Sequence, residues 1–430
     1  MITTAFVNIW KKRAGAIAWD PQTGVGAFEF DPEFLNSGRD IAPLKMPLDT
    51  ARGRIFSFPE LRNNSTFKGL PGLLADLLPD RYGNALINTW LTRQGRPADS
   101  LNPVEMLCFI GTRGVGALEI EPSYPKAGNA ATRVEIGSLI EVAESILSGR
   151  KKKSANVSQN EEKALVDILK IGSSAGGARA KALIAFNPVT GEVRTGQAGA
   201  PNGFAHWLIK FDGVIDRQFG ASSGYGRVEM AYHRMASDAG IEMMECRLLE
   251  ENGRAHFMTR RFDREEGSGK LHVQSLCALQ HLDFNEVTIY SYEQLFETMR
   301  LLGLSYPQAE QMYRRMVFNV MARNCDDHTK NFAFVMDQTG AWSLSPAFDV
   351  CHAYRPGSAW VSQHALSVNG KRKDITQTDL REVARQMNVK RPERIIEHIA
   401  EIVGSWERYG AEVAVESRLL KAIGETLVIL

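Results

Sequence analysis

The sequence lacks the features that mark several common protein classes. Its five cysteines form no Cys-x-x-Cys pair, which excludes the usual zinc-ribbon and thioredoxin-like sites, and an odd number of scattered thiols fits a reducing cytosol. Lysine and arginine number 51 against 50 acidic residues, so the chain lacks the cationic excess of a protein that coats nucleic acid over its whole surface. A local basic patch is still compatible with this balance.

Long apolar runs, internal repeats and low-complexity tracts are also missing. No stretch reaches the roughly 18 apolar residues that a membrane helix needs. Residues 1–10 alternate between apolar and polar, and the positive charges of Lys11, Lys12 and Arg13 follow this stretch rather than precede it. This order is typical of a strand and not of a signal peptide. We therefore expect a soluble, cytoplasmic protein.

The 430 residues are enough for two to four domains, since domains average about 100 to 200 residues. The first 120 residues predict a small antiparallel meander followed by helices, with strands at 6–10, 14–19, 25–30 and 115–120 and helical spacing over 70–92. The basic stretch 150–153, followed by Ser, Asn and Gln, is typical of a solvated linker, with a phosphate or partner contact as the alternative.

Beyond this stretch the pattern predicts a mixed region and then a mostly helical one. The predicted strands lie at 181–186, 207–211, 247–250 and 256–261, and the predicted helices at 161–171, 228–239, 292–302, 307–323, 380–387 and 392–406. A further helix, at 136–147, is predicted before the basic stretch and is compatible with the first domain.

The densest group of unusual residues lies at 324–331, directly after a predicted amphipathic helix and before an apolar strand. So many polar groups between two core-forming elements indicate a loop that opens into a cleft. Asp326 and Asn331 are five residues apart, as are the Asp and Asn of the kinase catalytic loop, where the Asp receives the hydroxyl proton and the Asn holds a metal ion. The same spacing favours Asp326 over the adjacent Asp327 as the base.

A kinase needs a second metal-holding acid downstream, and Asp349 supplies it between apolar neighbours. The residues Asp-Gln-Thr-Gly at 337–340 are a turn signal, so 332–335 and 342–344 are predicted to form a hairpin. That hairpin places Asn331 and Asp349 near the same end.

The upstream half supplies candidates for holding ATP. Small residues at 172–178 precede the strand that begins at Lys181 and let backbone amides approach phosphate, although such a turn is usually only a turn. Lys210 lies in an otherwise apolar strand, where a lysine more often marks an edge or extends to solvent. Glu229 follows on the next predicted helix, as in the kinase Lys–Glu pair. Each of these parts is common by itself, but their occurrence together and in this order along one chain is not.

Taken together, these motifs resemble the HipA family, the serine/threonine kinase toxins of bacterial type II toxin–antitoxin modules. The resemblance covers nearly the whole chain. It rests on the segments at 77–80, 110–117, 173–181, 206–210, 261–264, 326–331 and 346–349.

The resemblance implies an α+β protein with a two-lobed protein-kinase-like fold, an additional N-terminal α/β domain and a mostly helical C-terminal lobe. The implied domains are 1–148, an N-terminal α/β domain; 149–262, a nucleotide-binding region; and 263–430, a helical lobe that carries the catalytic loop. The implied cofactors are ATP and Mg²⁺. The implied partners are a HipB-like helix-turn-helix antitoxin, through which DNA is contacted, and a protein substrate.

The resemblance also assigns residues. Asp326 becomes the catalytic base, with Lys210 and Lys330 beside the phosphates, and Asn331 and Asp349 become the Mg²⁺ ligands. Family members phosphorylate a serine in their own phosphate loop, which here is Ser174, with Ser173 as the neighbouring alternative; a phosphate dianion there would block ATP. The implied nucleotide-binding residues are Ser174, Ala175, Gly176, Gly177, Ala178, Lys181, Lys210, Glu229, Arg260, Arg261, Phe262 and His328.

Several alternatives stay open at this point. One is a small-molecule phosphotransferase of the aminoglycoside-kinase type, which shares the Asp-x4-Asn spacing. Another is a catalytically inactive kinase-like corepressor, which would act only as a binding partner in a repressor complex. Lys330 can contact the transferring phosphate or only a neighbouring carboxylate. Arg260 is basic where the family pattern leads us to expect an acid. His328 is more often a residue that fixes loop geometry than a metal ligand.

Overall fold

A computed structural model gives the structure of the chain. It describes residues 2–123, 133–148, 167–169, 171–172, 179–196, 200–216, 220–221, 223–265 and 269–430. The predicted linker at 150–153 and residues 173–178 of the predicted phosphate loop lie outside the described residues.

The chain divides into two compact units. The first unit contains Met1–Ile41, Met46–Gly226 and Arg247–Val273, and the second contains Ala42–Lys45, Arg227–Cys246 and Gln274–Leu430. The sequence-based division at 148 and 262 is finer than this, and it stays a prediction.

The first unit begins with the predicted antiparallel meander. The strands of its five-stranded sheet, in the spatial order β4-β3-β2-β1-β5, are β1 (Thr4–Ile9), β2 (Lys12–Asp20), β3 (Val25–Phe30), β4 (Ile55–Ser57) and β5 (Leu118–Glu121). Trp10 and Lys11 turn the chain between β1 and β2 with positive φ angles of 48° and 64°. Val7 and Ile9 are buried while Phe6 is 40% exposed, so the alternation in the sequence corresponds to two faces of the sheet.

Among the described residues of this unit, four helices have both ends defined, and they follow from capping and apolar spacing. Asp80 begins the second of them, since its Oδ1 accepts hydrogen bonds from the amides of Tyr82 and Gly83 at 3.0 and 3.2 Å. A capping box between Asn102 and Glu105 begins the third, which the sequence analysis did not predict. The helices are α1 (Gly72–Ala75), α2 (Arg81–Arg93), α3 (Pro103–Ile110) and α4 (Ile136–Ser148).

A second five-stranded sheet in the first unit has the order β11-β12-β8-β6-β7. Strand β6 is buried along its whole length, whereas β8 and β12 are buried only in part. Lys181 on β6 and Lys210 on β8 are register partners, so the two predicted phosphate-binding lysines lie on adjacent strands. The strands are β6 (Lys181–Phe186), β7 (Val193–Thr195), β8 (Ala205–Lys210), β11 (Cys246–Glu251) and β12 (Arg254–Arg260), and the short pair β9 (Ile215–Asp216) and β10 (Gly220–Ala221) forms a separate ribbon.

A buried cluster of charges joins residues 261–264 to the turn at 114–116. Asp263 accepts from Nε and a terminal nitrogen of Arg261 at 2.8 and 2.6 Å, from Arg264 at 2.6 Å and from the amide of Gly116 at 2.7 Å. The same guanidinium of Arg264 donates to the carbonyls of Gly114 and Gly116 at 3.1 and 3.0 Å. We call these five residues the charge clamp. Two sequence motifs that are about 150 residues apart are thus hydrogen-bonded to each other.

The second unit is mostly helical. A three-stranded sheet in the order β13-β14-β15 accompanies the helices. The strands of this sheet are β13 (His272–Ser275), which spans the division after Val273, β14 (Ala333–Met336) and β15 (Trp342–Leu344). The helices are α5 (Tyr225–Asp238), whose first two residues are counted with the first unit, α6 (Leu276–Gln280), α7 (Tyr292–Leu301), α8 (Tyr306–Met321), α9 (Gln377–Met387), α10 (Pro392–Gly404), α11 (Trp406–Glu412) and α12 (Ser417–Gly424).

Helix α8 is the central element of this unit. From Met316 to Met321 every residue is buried. Buried polar side chains need hydrogen-bond partners inside the protein. Two polar side chains in the buried half of α8 have them: Arg315 donates to the carbonyl of Ser345 at 2.6 Å, and Asn319 donates to the hydroxyl of Tyr292 at 3.0 Å. Within the described ranges, no helix combines the length and the apolar character needed to cross a membrane.

The charge clamp generates a stability prediction. Replacing Asp263 by Asn leaves two buried guanidinium groups without a counter-charge, so we expect the free energy of unfolding, measured by denaturant titration, to fall by about 3 to 5 kcal/mol. Asp337→Asn is the control, because this carboxylate is exposed in a turn; its effect is expected to stay within about 0.5 kcal/mol.

The pH dependence of this effect has a defined sign. Burial alone would raise the pKa of Asp263, but Arg261 and Arg264 hold it well below its usual range. Since the pKa is lower in the folded protein, the stabilisation is fully present above the unfolded pKa of about 3.9 and is lost as the pH falls below it. A difference between wild type and Asp263→Asn that grows on acidification would contradict this account.

Candidate functional site

The loop at 324–331 connects helix α8 to strand β14. Arg323, with a positive φ of 54°, ends the helical path, and the amide of Asn324 donates back to the carbonyl of Asn319 at 3.0 Å. The next amide, that of Cys325, donates to the carbonyl of Ala353 at 3.1 Å. The loop is thus bonded on one side to the helix it leaves and on the other to the segment that follows Asp349.

Asp326 and Asn331 lie together, as their spacing predicts. The amide nitrogen of the Asn331 side chain donates to the backbone carbonyl of Asp326 at 2.7 Å, which leaves the amide oxygen as the atom available for a cation. The side chain of Asp326 is 40% exposed, and its Oδ1 lies 3.8 Å from Nε2 of His328. A carboxylate in this position is accessible to a hydroxyl group that approaches from solvent.

Asp349 is brought to the same place by the predicted hairpin. Strands β14 and β15 pair in antiparallel register, and the chain then runs along residue Glu242, whose carbonyl accepts from the amide of Ala347 at 2.8 Å. Asp349 adopts a positive φ of 52°, a conformation that is uncommon for residues other than glycine and clusters at functional sites.

Asn331 and Asp349 line one small polar cavity. Both offer oxygen atoms, which are the ligands that Mg²⁺ prefers in proteins, and Mg²⁺ is commonly held by one or two protein groups together with waters and phosphates. Burial lowers the pKa of Arg315 to about 10, so this cavity residue still carries a positive charge at neutral pH. The polar residues that line the cavity are Arg315, Asn319, Asn324, Asp327, Asn331 and Asp349.

Asp327 differs completely from its neighbour Asp326, because its side chain is fully buried. Its Oδ2 accepts from the hydroxyl of Tyr292 at 2.8 Å and lies 2.9 Å from Nδ1 of His364. Its Oδ1 accepts from the amide of Ala365 at 2.8 Å. Both oxygens of the Asp327 carboxylate thus have hydrogen-bonding partners inside the protein. Of the two adjacent carboxylates, Asp326 is the one that is accessible to a substrate.

His328 and Lys330 both face Phe284, a residue that the sequence analysis did not single out. The rings of Phe284 and His328 are 5.2 Å apart, and the ammonium of Lys330 lies 5.4 Å from the Phe284 centroid. Nδ1 of His328 is buried and has no hydrogen-bond partner in the part of the chain that the structure describes. Thr329 anchors the turn between them by donating to the carbonyl of Leu282 at 2.8 Å.

The other predicted nucleotide-binding residues fall in different parts of the chain. Lys181 is buried, and the ammonium of Lys210 lies 5.8 Å from the ring centroid of Phe257; both lysines belong to the first unit. Glu229 is buried on α5 in the second unit. The predicted loop residues Ser173, Ser174, Ala175, Gly176, Gly177 and Ala178 lie outside the described residues.

The family resemblance makes residues 260–262 the hinge whose backbone would meet adenine, but several of their groups bond to other parts of the first unit. Arg260 is the register partner of Trp207, and the amide of Arg261 donates to the carbonyl of His206 at 3.0 Å. The side chain of Arg261 belongs to the charge clamp. Phe262 is half-buried. An adenine contact by this segment would therefore have to use backbone groups other than the Arg261 amide.

The described residues contain no group of three or more His, Cys, Asp or Glu side chains arranged to hold a metal ion.

Comparisons with known proteins agree with this architecture. The HipA N-terminal domain model matches residues 5–121, and the HipA-like C-terminal domain model matches residues 173–407. Among solved structures, a chain from the complex of the Shewanella oneidensis MR-1 toxin–antitoxin proteins HipA and HipB with operator DNA is similar, with a TM-score of 0.67 at 16% identity; the match covers 98% of this chain and 95% of that one. This likeness confirms the predicted fold class.

A second solved structure is less similar. The proinflammatory kinase CtkA of Helicobacter pylori matches with a TM-score of 0.34 at 12% identity, covering 59% of this chain and 90% of that one. No curated protein matches the chain.

The backbone at Asp349 generates a second prediction. Both Asp349→Gly and Asp349→Ala remove the carboxylate, but only glycine adopts a positive φ without strain. We therefore expect Asp349→Gly to be more stable than Asp349→Ala by about 1 kcal/mol or more in denaturant unfolding, because a left-handed residue with a Cβ costs roughly 1 to 2 kcal/mol. Equal stability of the two variants would show that the positive φ imposes no cost at this position.

Proposed function

The chain belongs to the HipA family, and we propose that it is an ATP-dependent serine/threonine kinase that acts as the toxin of a HipA/HipB-like toxin–antitoxin system. One observation carries the proposal. Asn331 and Asp349 line one cavity, and Asn331 is hydrogen-bonded to the backbone of Asp326, so a candidate base and two candidate metal ligands lie in one place. A phosphoryl-transfer site needs these three groups together.

Each group has a role that follows from its surroundings. Asp326 accepts the proton of the attacking serine or threonine hydroxyl, because its side chain is accessible to solvent. Asn331 and Asp349 hold Mg²⁺ through their side-chain oxygens. When bound, Mg²⁺ neutralises charge on the ATP phosphates. Lys330 contributes a positive charge next to this site, and Phe284 and His328 limit where its ammonium can lie.

The nucleotide is held by residues that the family resemblance assigns. Lys181 and Lys210, on adjacent strands, contact the phosphates. Ser174 or Ser173 receives a phosphate in the phosphate loop, and the resulting dianion excludes ATP and switches the kinase off.

The partner is proposed to be a small HipB-like DNA-binding antitoxin. The support is that the similar Shewanella oneidensis complex contains HipA, HipB and operator DNA. In this proposal the chain meets DNA mainly through the antitoxin, and unrestrained kinase activity stops growth by phosphorylating a cellular protein.

The main test compares wild type with Asp326→Asn for ATP binding and for ATP turnover. We expect Asp326→Asn to bind Mg-ATP like the wild type but to lose at least 100-fold in turnover, since general base catalysis contributes about 100-fold to 10,000-fold. Asp337→Asn is the control and should keep wild-type turnover. Turnover of Asp326→Asn within tenfold of wild type would reject Asp326 as the base, and a wild type that binds ATP without turnover would favour the inactive corepressor.

Autophosphorylation is tested separately by mass spectrometry. Incubation with Mg-ATP should add one phosphate to the peptide that contains Ser173 and Ser174, whereas Asp326→Asn should leave this peptide unmodified. Replacing each serine by alanine in turn identifies the acceptor. An active preparation in which the peptide stays unmodified would reject autoregulation by this loop.

A further inference from the structure

The two adjacent carboxylates of the loop have opposite environments. Asp326 is 40% exposed at its side chain, whereas that of Asp327 is fully buried. A carboxylate is taken out of water at a high cost in free energy, which must be offset by hydrogen bonds and an opposite charge. Asp327 therefore has a function inside the protein that the kinase spacing rule does not explain.

The partners of the Asp327 side chain come from two separate parts of the second unit. Tyr292 is the first residue of α7, and His364 and Ala365 belong to the segment that follows Asp349. The hydroxyl of Tyr292 also accepts from Asn319 of α8, which in turn accepts from the side chain of Asn324 at 2.9 Å. We call Asp327, His364, Tyr292, Asn319 and Asn324 the buried network.

The imidazole of His364 is held between two residues of the loop. Its Nδ1 faces Asp327 at 2.9 Å and its Nε2 faces the sulfur of Cys325 at 3.7 Å. Burial favours the neutral imidazole, but the carboxylate of Asp327 outweighs burial and raises the pKa of His364 to about 10. The guanidinium of Arg372, which donates to the carbonyls of Ala365 and Tyr290, is a further positive charge that acts on Asp327.

The segment after Asp349 is bonded to the loop at two points. At the first, the backbone of Ala353 accepts from Cys325 and donates to the carbonyl of Arg323 at 3.1 and 3.0 Å. At the second, His364 and Ala365 hold the side chain of Asp327. The backbone of Asp326 lies between these two attachments, and Asn331 is bonded to its carbonyl.

We propose that Asp327 and His364 are positioning residues: their buried ion pair fixes the loop at 324–331 against the segment after Asp349 and so orients Asp326 and Asn331. This inference rests on the proposed kinase function, because it assigns the pair a role in the same reaction. Asp327 acts through its neighbours and does not receive the substrate proton.

The test uses full-length Asp327→Asn, His364→Gln and the double variant. Each single variant should lower kcat about 100-fold, because displacing the reacting groups by about 1 Å lowers the rate by about this factor. The Kd for ATP, measured by titration, should stay near the wild-type value. The double variant should lose about as much as either single one, because both substitutions break the same pair. Single variants with wild-type kcat would overturn the proposal.

A control separates positioning from general loss of stability. Asp379 is also a buried carboxylate of the second unit, and it accepts from Lys371 at 2.8 Å and from the amide of Thr376 at 2.9 Å. Asp379→Asn should lower the melting temperature but keep the wild-type kcat of the folded protein. If Asp379→Asn reduces kcat as much as Asp327→Asn does, the effect is not one of positioning and the proposal fails.

Hydrogen exchange gives a readout that needs no catalytic activity. Amides at 324–331 should exchange faster in Asp327→Asn and His364→Gln than in the wild type or in Asp379→Asn, whereas the amides of α8 should be unchanged. Unaltered exchange in the loop overturns the proposal. If the wild type shows no phosphoryl transfer at all, the proposed function fails, and this exchange measurement alone decides whether the ion pair holds the loop.

Discussion

The buried carboxylate of Asp327 is the constraint on which the loop geometry depends. An ionised group without water requires a donor for each oxygen, and here the donors come from α7 and from the chain beyond Asp349. Because these partners are far apart in sequence, the loop can take its shape only when the second unit is assembled around it. The position of the partly exposed Asp326 side chain therefore depends on the buried contacts of its neighbour Asp327.

Much of the fold could be predicted from local patterns. Alternation predicted strands at 6–10 and 14–19, and the structure has them at Thr4–Ile9 and Lys12–Asp20, so that Trp10 belongs to the turn and not to the first strand. Apolar spacing predicted helices at 292–302 and 307–323, within two residues of the ends of α7 and α8. Errors arose where capping overrides periodicity. Helix α9 begins three residues before its predicted start because Thr376 and Asp379 form a capping box, and the predicted helix at 392–406 ends at Gly404, before α11 starts.

The candidate site could be predicted in part, because some of its geometry is local. The five-residue spacing of Asp326 and Asn331 and the turn before β15 bring Asn331 and Asp349 to one cavity. Tyr292 and His364 could not be found in this way, since no spacing rule connects the start of a helix, a loop and a residue that lies 37 positions after Asp327. Phe284 was missed for the same reason. Polar groups that meet only through tertiary packing leave no periodic signal in a sequence.

The charge clamp has a consequence for how this architecture can be divided and recombined. Gly114 and Gly116 fall within the stretch matched by the N-terminal family model, while Asp263 and Arg264 fall within the stretch matched by the C-terminal model. A gene fragment that begins after the first stretch would expose an arginine that has lost its carbonyl acceptors and an aspartate that has lost an amide donor. Separating the two stretches would leave buried groups of the charge clamp without their hydrogen-bond partners, so we expect the glycine turn and the Arg-Phe-Asp-Arg motif to be needed together when segments are exchanged between relatives.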